Sequence, residues 1–113
     1  MHEMSLAQSM IEQLEDVIKK EDASVVEIIN LEIGAMSGVD REAFEFVFPF
    51  AAGGTCAEGA TLFFDEVDLE FRCRECDKVT VTKEPVMMCP VCSSVNVTVL
   101  KGEDFKIKTL EVS

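Results

Sequence analysis

Two short runs, Cys73-Arg74-Glu75-Cys76 and Cys89-Pro90-Val91-Cys92, decide the architecture of this chain, with twelve residues between Cys76 and Cys89. Two close pairs joined by a short loop can bring four sulfurs around one ion, as a tetrahedral zinc thiolate site requires. The spacing fits a zinc knuckle or ribbon and makes Cys73, Cys76, Cys89 and Cys92 the candidate ligands. Val79, Val81 and Val86 alternate imperfectly ahead of the second pair, and Val95, Val97 and Val99 alternate well after it. That pattern predicts short strands carrying the two metal loops. Asp77-Lys78 and Ser93-Ser94 supply turn residues. Few large apolar side chains fall between residues 70 and 101, so this lobe is expected to need metal to fold.

On the N-terminal side, Ser5 to Lys20 has helical periodicity. Ala7, Ile11, Leu14 and Ile18 share one stripe, and Met10 and Val17 widen it. Ser5 and Gln8 have capping-box spacing, Glu3 lies near the positive end, and Lys19 and Lys20 suit the negative end. Ser24 to Ile33 then reads as a strand, with Ile29, Leu31 and Ile33 alternating with Asn30 and Glu32. Asp40 is placed to cap a second helix, whose apolar face is Phe44, Val47, Phe48 and Ala51. Pro49 lacks an amide for the ladder, which predicts a kink or an early stop, and Gly53-Gly54 ends the element.

Thr61 to Val67 reads as a second strand, with Leu62 and Phe64 on one face. In Phe105 to Val112 the apolar phase slips: Phe105 and Ile107 match each other, while Leu110 and Val112 are offset by an odd step. A bulge near Lys108-Thr109 is expected to return all four to the core side. The expected fold is α+β: two helices packed on a three-stranded mixed sheet, with an inserted four-cysteine zinc-ribbon lobe. The domain expectation is residues 1–69 together with 102–113 as one domain, and 70–101 as a zinc-binding insertion before the last strand.

Ten basic and 22 acidic residues give the 113-residue chain a formal net charge of −12. Such a surface repels phosphate backbones and argues against nucleic-acid binding. A basic protein partner or cation handling suits it better, although solubility alone also accounts for it. No apolar run is long enough for a transmembrane helix, and Met1-His2-Glu3-Met4 lacks the features of a signal peptide. CxxC pairs without a secretory signal read as metal ligands in a reducing cytoplasm rather than as disulfides. Cys56 is the cysteine left over, read as a small buried or loop residue. No enzyme is expected: apart from His2, the single histidine, the chain offers no obvious base and no phosphate-binding glycine loop.

His2 is informative because of its position. The α-amine of Met1, the His2 amide nitrogen and the imidazole can close fused chelate rings around one ion, and the Glu3 amide can add a fourth nitrogen. Four nitrogens in a plane suit Ni(II) or Cu(II).

Met1-His2-Glu3 followed by Ser5 and an amphipathic helix resembles the opening of the HypA/HybF hydrogenase maturation family. Further stretches match in the same order: Ile33-Gly34, Ala57-Glu58-Gly59 before a strand, the two CxxC pairs, and a closing strand ending Leu110-Glu111-Val112. The resemblance implies a nickel metallochaperone that delivers Ni(II) for maturation of the [NiFe]-hydrogenase large subunit. It implies nickel as transferable cargo at His2, with the Met1 amine and Glu3 backbone assisting, and structural zinc at the four cysteines. The partners it implies are the HypB GTPase and the hydrogenase large subunit, with a homodimer allowed. Some relatives carry histidines beside their cysteine pairs or a further histidine at the nickel; this chain has neither. The competing readings are a zinc-ribbon protein-interaction adaptor without nickel cargo, and an iron-thiolate redox protein built on Cys89-Pro90-Val91-Cys92.

Overall fold

The computed structural model describes residues 2–113. In chain order the elements are α1 (Glu3–Lys20), β1 (Val26–Gly34), α2 (Arg41–Ala52), β2 (Thr61–Val67), β3 (Leu69–Cys73), β4 (Val79–Thr82), β5 (Val97–Lys101) and β6 (Phe105–Val112). They form two three-stranded sheets, ordered β2-β1-β6 and β4-β3-β5. The chain divides into two compact units. One runs to Leu31 and adds Val39–Phe64 and Ile107–Ser113; the other combines Glu32–Gly38 with Asp65–Lys106. Among the described residues no helix is long and apolar enough to cross a membrane.

The first sheet is mixed. Val25 and Ser113 exchange reciprocal backbone hydrogen bonds at one end of β1, and the Gly34 amide donates to the Asp104 carbonyl at the other, so β6 runs antiparallel to β1. Val26 donates to Cys56 and Ala35 to Val67, so β2 runs parallel to β1. Parallel neighbours need a crossover between them, and α2 is that crossover. α1 packs against α2, burying Ala7, Met10, Ile11, Leu14 and Ile18. α2 buries Phe44, Phe48 and Ala52, with the Phe44 ring 5.7 Å from Phe48 and edge-on to Phe64 of β2 at 6.3 Å.

Three expectations change in detail. α1 starts at Glu3 with His2 as its cap, so Ser5 lies inside the helix and the Ser5–Gln8 capping box is not used. Glu3 explains the earlier start, because a carboxylate in the first turn offsets the partial positive charge there. α2 does not stop at Pro49 but runs on to Ala52. Its start is secured by Asp40, whose side chain accepts a hydrogen bond from the Ala43 amide, and Phe44 and Phe48 fix its inner face. The third change is β3, a strand not anticipated, in which Leu69, Phe71 and Cys73 are buried in alternation.

In β6, Lys108 and Thr109 are both exposed, while Phe105, Ile107, Leu110 and Val112 are all half-buried. The change of phase therefore falls where it was expected. β1 changes phase as well: Val26 and Ile29 are both fully buried, three residues apart.

Candidate metal centre

The cysteine loops are two copies of one local design. β3 ends at Cys73, whose amide donates to the Lys78 carbonyl at 2.8 Å, and the Asp77 amide returns to the Cys73 carbonyl at 2.9 Å. In the second loop, Cys89 donates to the Ser94 carbonyl at 2.9 Å and Ser93 to the Cys89 carbonyl at 2.9 Å. Asp77 and Ser93, each four places after the first cysteine of its pair, both have φ of 63°. This left-handed conformation is one that Asp tolerates and Ser adopts less readily, and it turns the chain back after each sulfur pair. The turns anticipated at 77–78 and 93–94 are thus the closures of two knuckles.

The sheet aims the knuckles. β3 pairs antiparallel with β4 on one side and with β5 on the other, Cys73 standing opposite Val97. Arg74 donates to the Thr98 hydroxyl at 2.8 Å and, through its amide, to the Asn96 carbonyl at 2.9 Å. The first knuckle is thereby held to the strand that follows the second. One ligand atom from each of the four cysteines lies within 4.8 Å of the others. The Cys73–Cys92 and Cys76–Cys89 sulfurs are 3.5 Å apart. A tetrahedron with metal–sulfur bonds near 2.3 Å has edges of about 3.8 Å. Four sulfurs at this separation, all soft donors, fit one tetrahedral ion.

The two members of each pair differ. Cys73 and Cys89 are buried, whereas Cys76 and Cys92 are exposed. The Cys76 amide, helped by that of Glu75, donates to the Cys73 sulfur at 3.5 and 3.4 Å and lowers its pKa against the opposing effect of burial. The Cys92 and Val91 amides act in the same way on Cys89 and bring it down to about 7. Cys92 receives a favourable bond from Ser94, but hydrogen bonding to Cys73 and the other neighbouring sulfurs holds it up at about 12. For Cys76 the Lys78 amide pulls downward, while hydrogen bonding to Cys89 and Cys73 leaves its pKa raised. Each knuckle therefore pairs one thiol whose pKa is lowered with one whose pKa is raised, and the protons they still hold must leave when a metal arrives.

His2 lies elsewhere in the chain, exposed at the start of α1, where its side chain makes no capping hydrogen bond. Its carbonyl accepts the first helical bond from the Leu6 amide at 3.1 Å. Glu3 opens the first turn, where amides have no carbonyl partner within the helix. Met1, the third member of the expected nitrogen set, lies outside the described residues. The Glu3 carboxylate accepts from the Asp40 amide at 3.2 Å, so the cap of α2 sits beside the start of α1. The sequence revealed Asp40 only as a cap. Its place next to Glu3 depends on how α1 packs against α2, which no local pattern encodes.

Cys56 is half-buried. Its amide donates to Glu15 of α1 at 3.1 Å, and its carbonyl accepts from Val26 of β1 at 2.9 Å. Burial raises the pKa of its thiol, and the Glu15 charge raises it further. A thiol kept protonated in this way is a poor nucleophile, and its backbone serves to tie a loop to α1 and β1.

Comparison with known proteins gives a consistent result. Residues 1–112 match the family described as "Hydrogenase/urease nickel incorporation, metallochaperone, hypA". The hydrogenase maturation factor HypA of Geobacter sulfurreducens is 39% identical over 112 residues, covering 99% of both chains. That of Aquifex aeolicus is 35% identical, covering 99% of this chain and 97% of its own. Among solved structures, the Ni metallochaperone HypA from Helicobacter pylori aligns with a TM-score of 0.70 at 28% identity, over 99% of this chain and 97% of that one. Whole-length matches of this kind, in proteins named as maturation factors rather than catalysts, show that the chain belongs to the HypA family of hydrogenase maturation factors and nickel metallochaperones.

Proposed function

We propose that this protein carries Ni(II) to the [NiFe]-hydrogenase large subunit, holding nickel at His2 and a permanent zinc ion at Cys73, Cys76, Cys89 and Cys92. The reading assigns nickel to residues 1–69 with 102–113, and zinc to residues 70–101. It places the protein in the cytoplasm, beside the HypB GTPase. The observation that carries it is the contrast between two donor sets. Four sulfurs sit in a backbone-locked cluster, whereas an exposed imidazole stands at a helix start with no structural task as a cap.

A closed cage of thiolates suits an ion that stays. A terminal chelate suits one that must leave, because moving one or two residues dismantles it. Binding through successive amide nitrogens closes a ring over the N–Cα–C–N atoms of His2 and needs its ψ near zero. That angle is 90° here, so loading turns His2 by roughly a quarter turn toward a helical conformation. Glu3 then supplies its nitrogen from the first turn of α1, where the helix dipole favours a deprotonated amide.

The test is metal analysis of untagged protein beginning at Met1, before and after nickel addition. The wild type should hold one zinc throughout and take up one nickel. His2→Ala should keep the zinc and lose nickel binding by at least about a hundredfold, or roughly 2.7 kcal/mol. Residues added before Met1 should weaken nickel in the same direction, since they remove the α-amine. A native protein that fills its cysteines and takes no nickel would instead be the zinc-ribbon adaptor.

The thiol chemistry adds a pH dependence. Near pH 8 the protons on Cys76 and Cys92 must leave when zinc enters the metal-free protein, so calorimetry in buffers of different ionisation enthalpy should report about two to three protons released per ion. As pH falls below about 7, Cys89 also becomes protonated and that number rises. Zinc affinity should therefore weaken on acidification and strengthen toward alkaline pH. Proton release that does not change with pH would contradict the assignment of the thiols.

A further inference from the structure

α2 has an outer face that its unit does not use. Phe44 and Phe48 point inward and are buried, but Phe46 and Phe50 are 71% and 70% exposed. These two lie one helical turn apart with ring centroids 5.6 Å from each other and planes tilted by 55°, in contact with one another on the exposed face. Exposed Pro49 and Gly53 continue the same stripe. Single exposed apolar residues are ordinary, whereas a paired aromatic ridge along one helix face marks an interaction surface.

Charge indicates what covers it. Glu42 stands one turn ahead of Phe46, and Glu45, with its side chain 48% exposed, one turn ahead of Pro49. Arg41 is the last basic residue before Arg72. Its guanidinium is already bonded to Glu45 at 2.9 Å and lies 4.7 Å from the Phe64 ring. A second copy of this chain would bring the same carboxylates and a charge of −12 to meet its like.

The geometry points to the outer face of α2 as a docking surface for a cationic amphipathic segment of another protein. Apolar side chains at helical spacing cover Phe46 and Phe50, and lysine or arginine reaches Glu42 and Glu45. Lysine stems can also lie over the exposed rings. The surface requires neither His2 nor the cysteines, so it stands apart from the nickel reading.

A fluorescein-labelled leucine–lysine amphipathic helix tests this against the zinc-loaded full chain by anisotropy at about 0.15 M salt. Its leucine–glutamate and serine–lysine counterparts serve as comparisons. The leucine–lysine peptide should bind in the micromolar range, and the other two at least about tenfold more weakly. Phe46→Ser/Phe50→Ser should weaken binding at least about tenfold without altering charge. Glu42→Gln/Glu45→Gln should weaken it about threefold and flatten its salt dependence. Hydrogen exchange of the wild type gives a reading independent of any variant: the peptide should protect residues 42–53. Equal binding of the glutamate peptide, unchanged binding in the phenylalanine variant, or protection that misses α2 would each overturn the proposal. So would a wild-type dimer in sedimentation that Phe46→Ser/Phe50→Ser dissolves, since the occupant would then be a second copy.

Discussion

Cys73→Ser is expected to release the zinc and unfold residues 69–101 while leaving α1 and α2 in place. The unit that carries the cysteines has about fifty residues, a size at which a hydrophobic core rarely suffices. Its buried apolar residues are Ile33, Leu69, Phe71 and the two buried cysteines themselves. Three large buried side chains are a small core for a unit of this size, too small to hold it without a further constraint. Structural zinc in comparable small folds is worth roughly 10–16 kcal/mol. Removing one of four ligands therefore withdraws the largest single stabilising contribution in this unit. Cys73 is a severe choice for a second reason: it ends β3 and is fully buried, so the variant leaves a serine hydroxyl inside the unit where a metal-bound sulfur stood. Hydrogen exchange resolved by residue should show protection lost across β3, β4 and β5 and retained across α1, with metal analysis showing no zinc. Cys56→Ser, which removes a thiol outside the cluster, should change neither. A zinc-free Cys73→Ser protein with β3–β5 still protected would show that the metal is not what folds this unit.

How far the sequence led can be judged from particular residues. The four cysteines were legible because CxxC spacing is a local constraint, and the metal requires few residues to satisfy it. α1 was legible because its apolar period is regular, β1 because Ile29, Leu31 and Ile33 alternate over its second half, and even the phase slip in β6 could be read from Ile107 to Leu110. β2 was read with its observed bounds, but β3 was missed because Leu69, Phe71 and Cys73 follow after the single residue Asp68, with no loop between to mark a new strand. Of the two outcomes expected at Pro49 the early stop did not occur, because Phe44 and Phe48 buried on one face favour continuation, and the element ends with Gly53 as its cap, as Gly53-Gly54 implied. The resemblance, carried by Met1-His2-Glu3 together with the stretches that follow it in order, pointed to the family where the nitrogen donors alone suited either nickel or copper. What no local pattern could supply is proximity across the chain. The Asp40 amide on the Glu3 carboxylate joins residues 37 positions apart, and Arg74 on Thr98 joins residues 24 apart.

The same reasoning applies most strongly to Gly102, which no motif singled out. Gly102→Ala is expected to destabilise the cysteine-bearing unit by about 3–5 kcal/mol, from two additive sources. The first is conformation: φ is +97°, a region that L side chains rarely adopt. The second is space. A Cβ there would stand 2.6 Å from the Asp68 carbonyl oxygen and 2.7 Å from the Leu69 Cα, both backbone atoms that cannot rotate away. The crowding follows from how the segment 34–36 is bonded. Gly34 donates to the Asp104 carbonyl, Ala35 to Val67 and Met36 to Gly102 itself, drawing three stretches of backbone together where the chain enters β3 and leaves β5. Gly34 faces the same knot, since a Cβ on it would strike the Gly102 carbonyl.

Gly54 separates the two sources. It has φ of +76° but nothing within 4 Å of an added Cβ, so Gly54→Ala should cost only the conformational part, about 1 kcal/mol. Urea denaturation with zinc in excess, followed by exchange protection in β3 and β5 for Gly102→Ala and in α2 for Gly54→Ala, measures both. Equal losses at Gly54 and Gly102 would mean that the backbone around Asp68 yields to the methyl group. A much larger loss at Gly102 would mean that the close approach of these three stretches is rigid, and that glycine at this position is as necessary to the fold of the metal lobe as a cysteine.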